Sequence, residues 1–224
     1  MNDIISTFND LYYKIQISHN ICLADVRNIC LKSYNNSVVC DVDGGAPEIY
    51  YEILERDCGH FAVLKIERNS HEIIYESVNA DFAAIALFLF LSRHQIKKTD
   101  NDIEIEEFIK KEIAHGNIDL ARQVIAENFG EKTISFEKNV FDKISVITLS
   151  TNKIDIFYHG NTILFCSEFN KPDLERGYLI AFNKCRMVNI YHKIMVNITN
   201  TIPDVNKNEN RKLKYLFLVG AMEK

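Results

Sequence analysis

Two hydrophobic periods alternate along this chain, and they predict an α+β fold: antiparallel β-meanders covered by helices, with a meander-then-helix plan in both halves. Residues 37–77, and again residues 144–169, set apolar side chains at every second position in short runs divided by turn residues. Each of these regions is followed by residues with helical character. The first is followed by ten consecutive apolar residues at 82–91, about half the length that a membrane-spanning helix needs. A helix apolar on all sides belongs inside a core, so this block predicts a buried helix laid over the first meander.

Residues 2–17 carry Ile4, Ile5, Phe8, Leu11, Tyr12 and Ile15 at spacings of three and four, which describes one apolar helix face. Residues 22–33 repeat that spacing more weakly through Leu23, Val26, Ile29 and Cys30, until Asn35-Asn36 ends it. "SVVCDV" then reads as a strand and "DGGAP" as a loop. "EIYYEILER" and "HFAVLKIER" flank an Asp57-Cys58-Gly59 turn, and "HEIIYESV" follows Asn69-Ser70. Asn79 or Asp81 supplies the side-chain acceptor that starts the apolar helix. Residues 99–129 form two helices. In the first, acids at 100, 102, 104, 106, 107 and 112 face water, and Ile105, Phe108, Ile109 and Ile113 form the inward stripe. Gly116 ends that helix, Asn117 caps the next, and Gly130 closes it.

"ISVITLS", "KIDIFY" and "TILFCSEF" make the second meander. Leu174, Tyr178, Phe182, Cys185, Val188 or Met187, Tyr191 and Ile194 mark a helix after Pro172. "TIPDVNKNENRK" reads as a polar loop, and "LKYLFLVGAM" as a closing strand or short helix. The expected domains are residues 1–135 and 136–224, or one continuous domain spanning both.

The chain has 224 residues, 26 basic against 31 acidic, a formal net charge of −5 and a pI near 5.8. Affinity for a phosphate backbone comes from clustered Lys and Arg, so this balance speaks against nucleic acid as the ligand and suits a basic protein partner. None of the six cysteines stands at C-x-x-C spacing, and the chain is too large and too sparse in cysteine for a disulfide-stapled secreted domain. Reduced thiols, no leader-like start and no membrane span point to the cytoplasm.

Chemical motifs are scarce. "DVDGG" lacks the later oxygen ligands of a calcium loop. No H-x-H or H-x-x-x-H pair, phosphate-binding glycine loop or nucleophile elbow occurs, so no metal or cofactor is expected. Asp57, Cys58 and His60 resemble a thiol nucleophile beside a base, yet they sit where a hairpin needs a turn. The residues singled out for partner binding are acidic and aromatic: Tyr50, Glu52, Glu55, Asp100, Asp102, Glu104, Glu106 and Glu107. Carboxylate surfaces speed encounter with a basic partner, and a few aromatic and charged residues carry most of an interface's energy.

The order "YYEILER", turn, "FAVLKIER", "EIIYESVNADFAAIALFLFLSR", over residues 45–95, resembles a pattern in bacterial immunity proteins of polymorphic-toxin and contact-dependent growth inhibition systems. Glu55-Arg56 and residues 77–90 occupy the positions of that pattern. The chain departs from it in lacking tryptophan, in its Asn-Ala-Asp helix start and in its long C-terminal half. The resemblance implies a small cytoplasmic protein, not an enzyme, that binds one cognate toxin domain such as a nuclease and blocks it. Two rivals stay open: an enzyme with a discontinuous Cys58/His60 site, and a structural module that homo-oligomerises through a sheet edge. The oligomeric state is left open.

Overall fold

The computed structural model describes residues 2–18, 30–33, 37–41, 49–68, 70–93, 96–150, 153–158, 162–166, 174–201 and 205–222. Its contacts divide the chain at different places from a cut at 135–136. One compact unit combines Met1–Lys97 with Tyr191–Lys224, and the other is Lys98–Ile190. The fold class is α+β, as the alternating periods imply.

In the first unit, helix α1 (Asn2–Ser18) is followed by a five-stranded antiparallel meander. Its strands are β1 (Cys30–Ser33), β2 (Ser37–Asp41), β3 (Ile49–Arg56), β4 (His60–Glu67) and β5 (Ser70–Ser77), in spatial order 1-2-3-4-5. Residues opposite each other across strands point to one face of a sheet. Val38 faces Ile53, Ile53 faces Val63, and Val63 faces Tyr75, and all four are buried. Helix α2 (Ala80–Ser92) packs on β3, β4 and β5. The Tyr51 and Phe90 rings, 5.4 Å apart, place it on this face.

Asn79 Oδ1 starts α2 by accepting from the Asp81 and Phe82 amides at 2.7 and 3.4 Å, and every residue of 82–92 is then buried. The apolar block is therefore a core helix. Helix α1 covers it with Ile4, Phe8 and Leu11, and Phe8 meets Phe88 edge to face at 5.8 Å. On the sheet's other face, Ala62, Leu64 and Ile66 form a second buried cluster with Tyr50, Leu54 and Ile73 packed against it.

Two elements differ from the sequence reading. Residues 30–33 form strand β1 and not the end of a helix, because pairing with β2 satisfies their backbone in antiparallel register, Cys30 opposite Asp41. The rest of that helix, residues 22–29, lies outside the described residues, as do Asn35-Asn36 and the "DGGAP" loop. At the far end, helix α6 (Lys207–Val219) begins inside the stretch read as a polar loop. Asn206 caps it by accepting from the Asn208 and Glu209 amides at 3.0 and 2.9 Å. Residues 207–212 of that run begin the helix, and the apolar residues after them, Leu213, Leu216 and Phe217, are buried in the same unit.

The second unit holds helices α3 (Asp100–Ala114) and α4 (Ile118–Phe129) and strands β6 (Ile134–Ser135), β7 (Ile144–Ser150), β8 (Lys153–Tyr158) and β9 (Thr162–Cys166). Residues 174–190 of helix α5 (Leu174–Thr201) complete it. Strands β7 to β9 are the expected meander, and the two-residue β6 adds to it in parallel with β7. The α5 stripe buries Tyr178, Phe182, Cys185 and Val188 here and Tyr191 and Ile194 in the first unit, while Leu174 at its start is half-buried. Among the described residues, no helix is long and apolar enough to cross a membrane.

Candidate functional site

Thr99 starts α3 with a capping box: its Oγ1 accepts from the Asp102 amide at 3.1 Å, and Asp102 Oδ2 accepts from the Thr99 amide at 2.8 Å. Asp102 also lies 3.6 Å from Arg186 Nη1 on α5, so its carboxylate is engaged within the unit. One turn on, Glu106 is buried. Asn183 Nδ2 on α5 donates to Oε1 at 2.7 Å, and Lys98 Nζ donates to Oε2 at 2.6 Å. Glu112, also buried, accepts from Asn117 Nδ2 at 2.8 Å, which uses the side chain that was expected to cap α4.

The inward face of α3 thus runs Asp102, Glu106, Ile109, Glu112, flanked by the half-buried Ile105 and Ile113. Asp102, Glu106 and Glu112 are corrections to the expected wet acidic face, and Phe108 is a correction to the expected inward stripe. Hydrophobic spacing cannot register that α5 brings an amide and a guanidinium to meet buried carboxylates, which makes their burial tolerable.

Turned outward are Asp100, Ile103, Glu104 and Glu107, with Phe108 at the flank. Ile103 is 48% and Phe108 40% exposed, and Leu120 on the neighbouring α4 is 44% exposed, so this helical hairpin offers apolar area as well as charge. Glu107 holds Lys110 at 2.6 Å, a surface pair that contributes little by itself. Composition alone could have flagged the apolar residues; their exposure could not be seen from spacing.

The other three residues singled out lie on β3, in the first unit. Tyr50 is half-buried against the Ala62, Leu64 and Ile66 cluster, so its ring serves packing. Glu52 is half-buried opposite Leu64, and Glu55 is exposed opposite Phe61. Asp43 and Glu48, the acids just before this strand in sequence, fall outside the described residues.

"ERDCGH" is a corner of the backbone. Asp57–Gly59 forms one 3-10 turn, Gly59 takes a φ of +72°, and Arg56 pairs with His60 where β4 begins. Asp57 and His60 are exposed, and the Cys58 side chain lies outside the description. Among the described residues, no group of three or more His, Cys, Asp or Glu side chains converges as metal ligands.

A cleft in the first unit went unnoticed in the sequence. It lies beside β5 and α6, has a volume of about 290 Å³, and is lined by Ile74, Tyr75, Glu76, Arg211, Lys212, Leu216 and Met222. Tyr75 is buried and donates its hydroxyl to Glu209, which also pairs with Lys212 at 3.1 Å. Burial first, and the Glu209 carboxylate second, push the Tyr75 phenol far above its ordinary 10.0. The Tyr191 hydroxyl lies within hydrogen-bond reach of Asn210 on the same helix, at 2.7 Å from its carbonyl oxygen. The signal that could have found the cleft is a 134-residue separation between tyrosine and glutamate, invisible to any local pattern.

No family model, curated protein or solved structure matches the chain.

Proposed function

We propose that this chain is an inhibitor of the immunity type, acting in the cytoplasm, which neutralises a cognate toxin domain by covering its active site and performs no chemistry of its own. The observation that carries the reading is the outward face of the α3–α4 hairpin. On α3 it exposes Asp100, Glu104 and Glu107 at helical spacing with Ile103 and Phe108, and α4 exposes Leu120. Carboxylates steer a basic partner to the surface, and apolar side chains stabilise the contact once water is expelled. A toxin that cleaves nucleic acid has a basic cleft to hold phosphates, and an acidic hairpin complements it.

The test is titration calorimetry against the toxin domain encoded beside this chain. A one-to-one complex with Kd below about 1 µM is expected. Reversing Glu104→Lys and Glu107→Lys together should slow association at least roughly tenfold at low salt and leave folding intact. No complex at about 1 µM removes the proposal.

A further inference from the structure

The geometry points to a second binding site, independent of the hairpin: at the C-terminal end of α2, the Arg93 guanidinium and the Tyr51 hydroxyl take a small oxyanion, the carboxylate or phosphate group of a ligand. Three features converge on this ligand chemistry.

The first is a cation without a counter-ion. Arg93 is half-buried at the C-cap of α2, and its Cζ lies 5.8 Å from the centre of the Phe90 ring. Among the described residues, no oxygen accepts a hydrogen bond from this guanidinium and no carboxylate pairs with it. The Tyr51 phenol is the one ionisable group whose charge acts on it. Burial lowers its pKa from the ordinary guanidinium value, so part of its hydration is already gone. The N–H fork of an arginine fits the paired oxygens of a carboxylate or phosphate, and such bonds are stronger than those between neutral groups.

The second is the room made for it. Gly220, the C-cap of α6, has a φ of +85°, and a Cβ built there falls 1.4 Å from Arg93 Nη1 and 2.6 Å from its Cζ. The guanidinium therefore occupies space that any other residue at position 220 would fill. It is held by the Phe90 ring and the Gly220 backbone together. A long side chain fixed in this way has already lost rotamer freedom that binding would otherwise remove.

The third is a neighbouring donor. The Tyr51 ring is half-buried 5.4 Å from the same Phe90 ring, and among the described residues its hydroxyl makes no hydrogen bond. Lys65 lies opposite Tyr51 on β4, but Glu67 holds it at 3.1 Å, so that pair adds no net charge. What stands against Phe90 is thus one unneutralised positive charge with a neutral hydroxyl near it. A cation is repelled there, and an uncharged ligand leaves the guanidinium without a counter-charge.

The probes are sodium acetate and inorganic phosphate, each titrated into the full nitrogen-labelled chain, with sodium chloride at matched ionic strength as reference. The Arg93 side-chain signal and the Gly220 amide should shift together and saturate, with a Kd on the order of 10 mM. Saturation with acetate alone assigns a carboxylate, with phosphate alone a phosphate, and with both an oxyanion of either kind. Arg93→Gln should weaken the Gly220 response at least roughly tenfold, and Tyr51→Phe should weaken both responses roughly threefold. Equal shifts with chloride overturn the site, because screening then accounts for them. An undiminished Gly220 response in Arg93→Gln overturns the role of the guanidinium, and unchanged affinity in Tyr51→Phe overturns that of the hydroxyl. No saturation up to about 100 mM overturns the site altogether, on the unsubstituted chain and so whether or not a variant folds. None of these outcomes involves a toxin domain, so the two readings fail separately.

Discussion

Gly220 and Tyr75 show how much a single residue can settle. Gly220 ends α6 with a φ of +85°, and a Cβ built there falls 1.4 Å from Arg93 Nη1. Gly59 takes a φ of +72° with nothing within 4 Å of that position. Backbone strain should cost Gly59→Ala about 1 kcal/mol. Gly220→Ala should cost about 2 kcal/mol, because the guanidinium must also leave its place over the Phe90 ring. Urea midpoints of the two variants check the order. Tyr75 makes a pH prediction. Its phenol is held above 10.0 in the fold, so above that pH the native chain keeps a proton that the unfolded chain has released. The native state then binds more protons, and stability falls as pH rises. Burial raises the Cys185 thiol above its ordinary 9.0 with the same sign. Stability should hold to about pH 9 and decline beyond it, and Tyr75→Phe should flatten the decline above about pH 10, as read by urea titrations across that range.

Among elements, α2 is the one whose fate was plainest in the sequence, since ten apolar residues in a row can be soluble only as a core helix. Phe88 is 2% exposed, and Phe88→Ala should cost about 4 kcal/mol in transfer and cavity energy. A double-mutant cycle with Phe8→Ala should return a coupling of about 1 kcal/mol from their edge-to-face contact. Helix α3 was half legible. Its C-terminal end was, because Gly116 is a local device; the Thr99 capping box at its start went unread. Its rotation was not, because Glu106 faces inward only where Asn183 and Lys98 receive it. Strand β1 and the first residues of helix α6 were misread for one reason: a short mixed segment takes the structure its neighbours can pair or cover.

For the whole molecule, the first unit is discontinuous in sequence, so α2 depends on residues that arrive after the second unit has been built. Helix α6 packs on α2 and brings Leu213, Leu216 and Phe217 to the core. Ending the chain at residue 190 should therefore leave apolar surface on α2 uncovered and abolish cooperative unfolding, with strong binding of a hydrophobic dye as the readout. The net charge of −5 acts at this scale too. If the hairpin recruits a basic toxin, association should weaken steeply as salt rises, because exposed charges are screened beyond about 10 Å at ordinary ionic strength.

By itself the sequence determined most of the segments that coil and that extend, the turn at 57–59 and the burial of residues 82–91, since periodicity, caps and glycines act over a few neighbours. Tertiary structure alone decided which acids stay outside. Glu106 and Asp102 look the same as Glu104 and Glu107 in a list of residues, yet partners on α5 draw the first two in and leave the others at the surface. It also decided that Tyr75 and Glu209 meet beside a cleft. A buried charge or phenol is tolerated only where a partner stands, and the partner's arrival depends on the packing of distant elements.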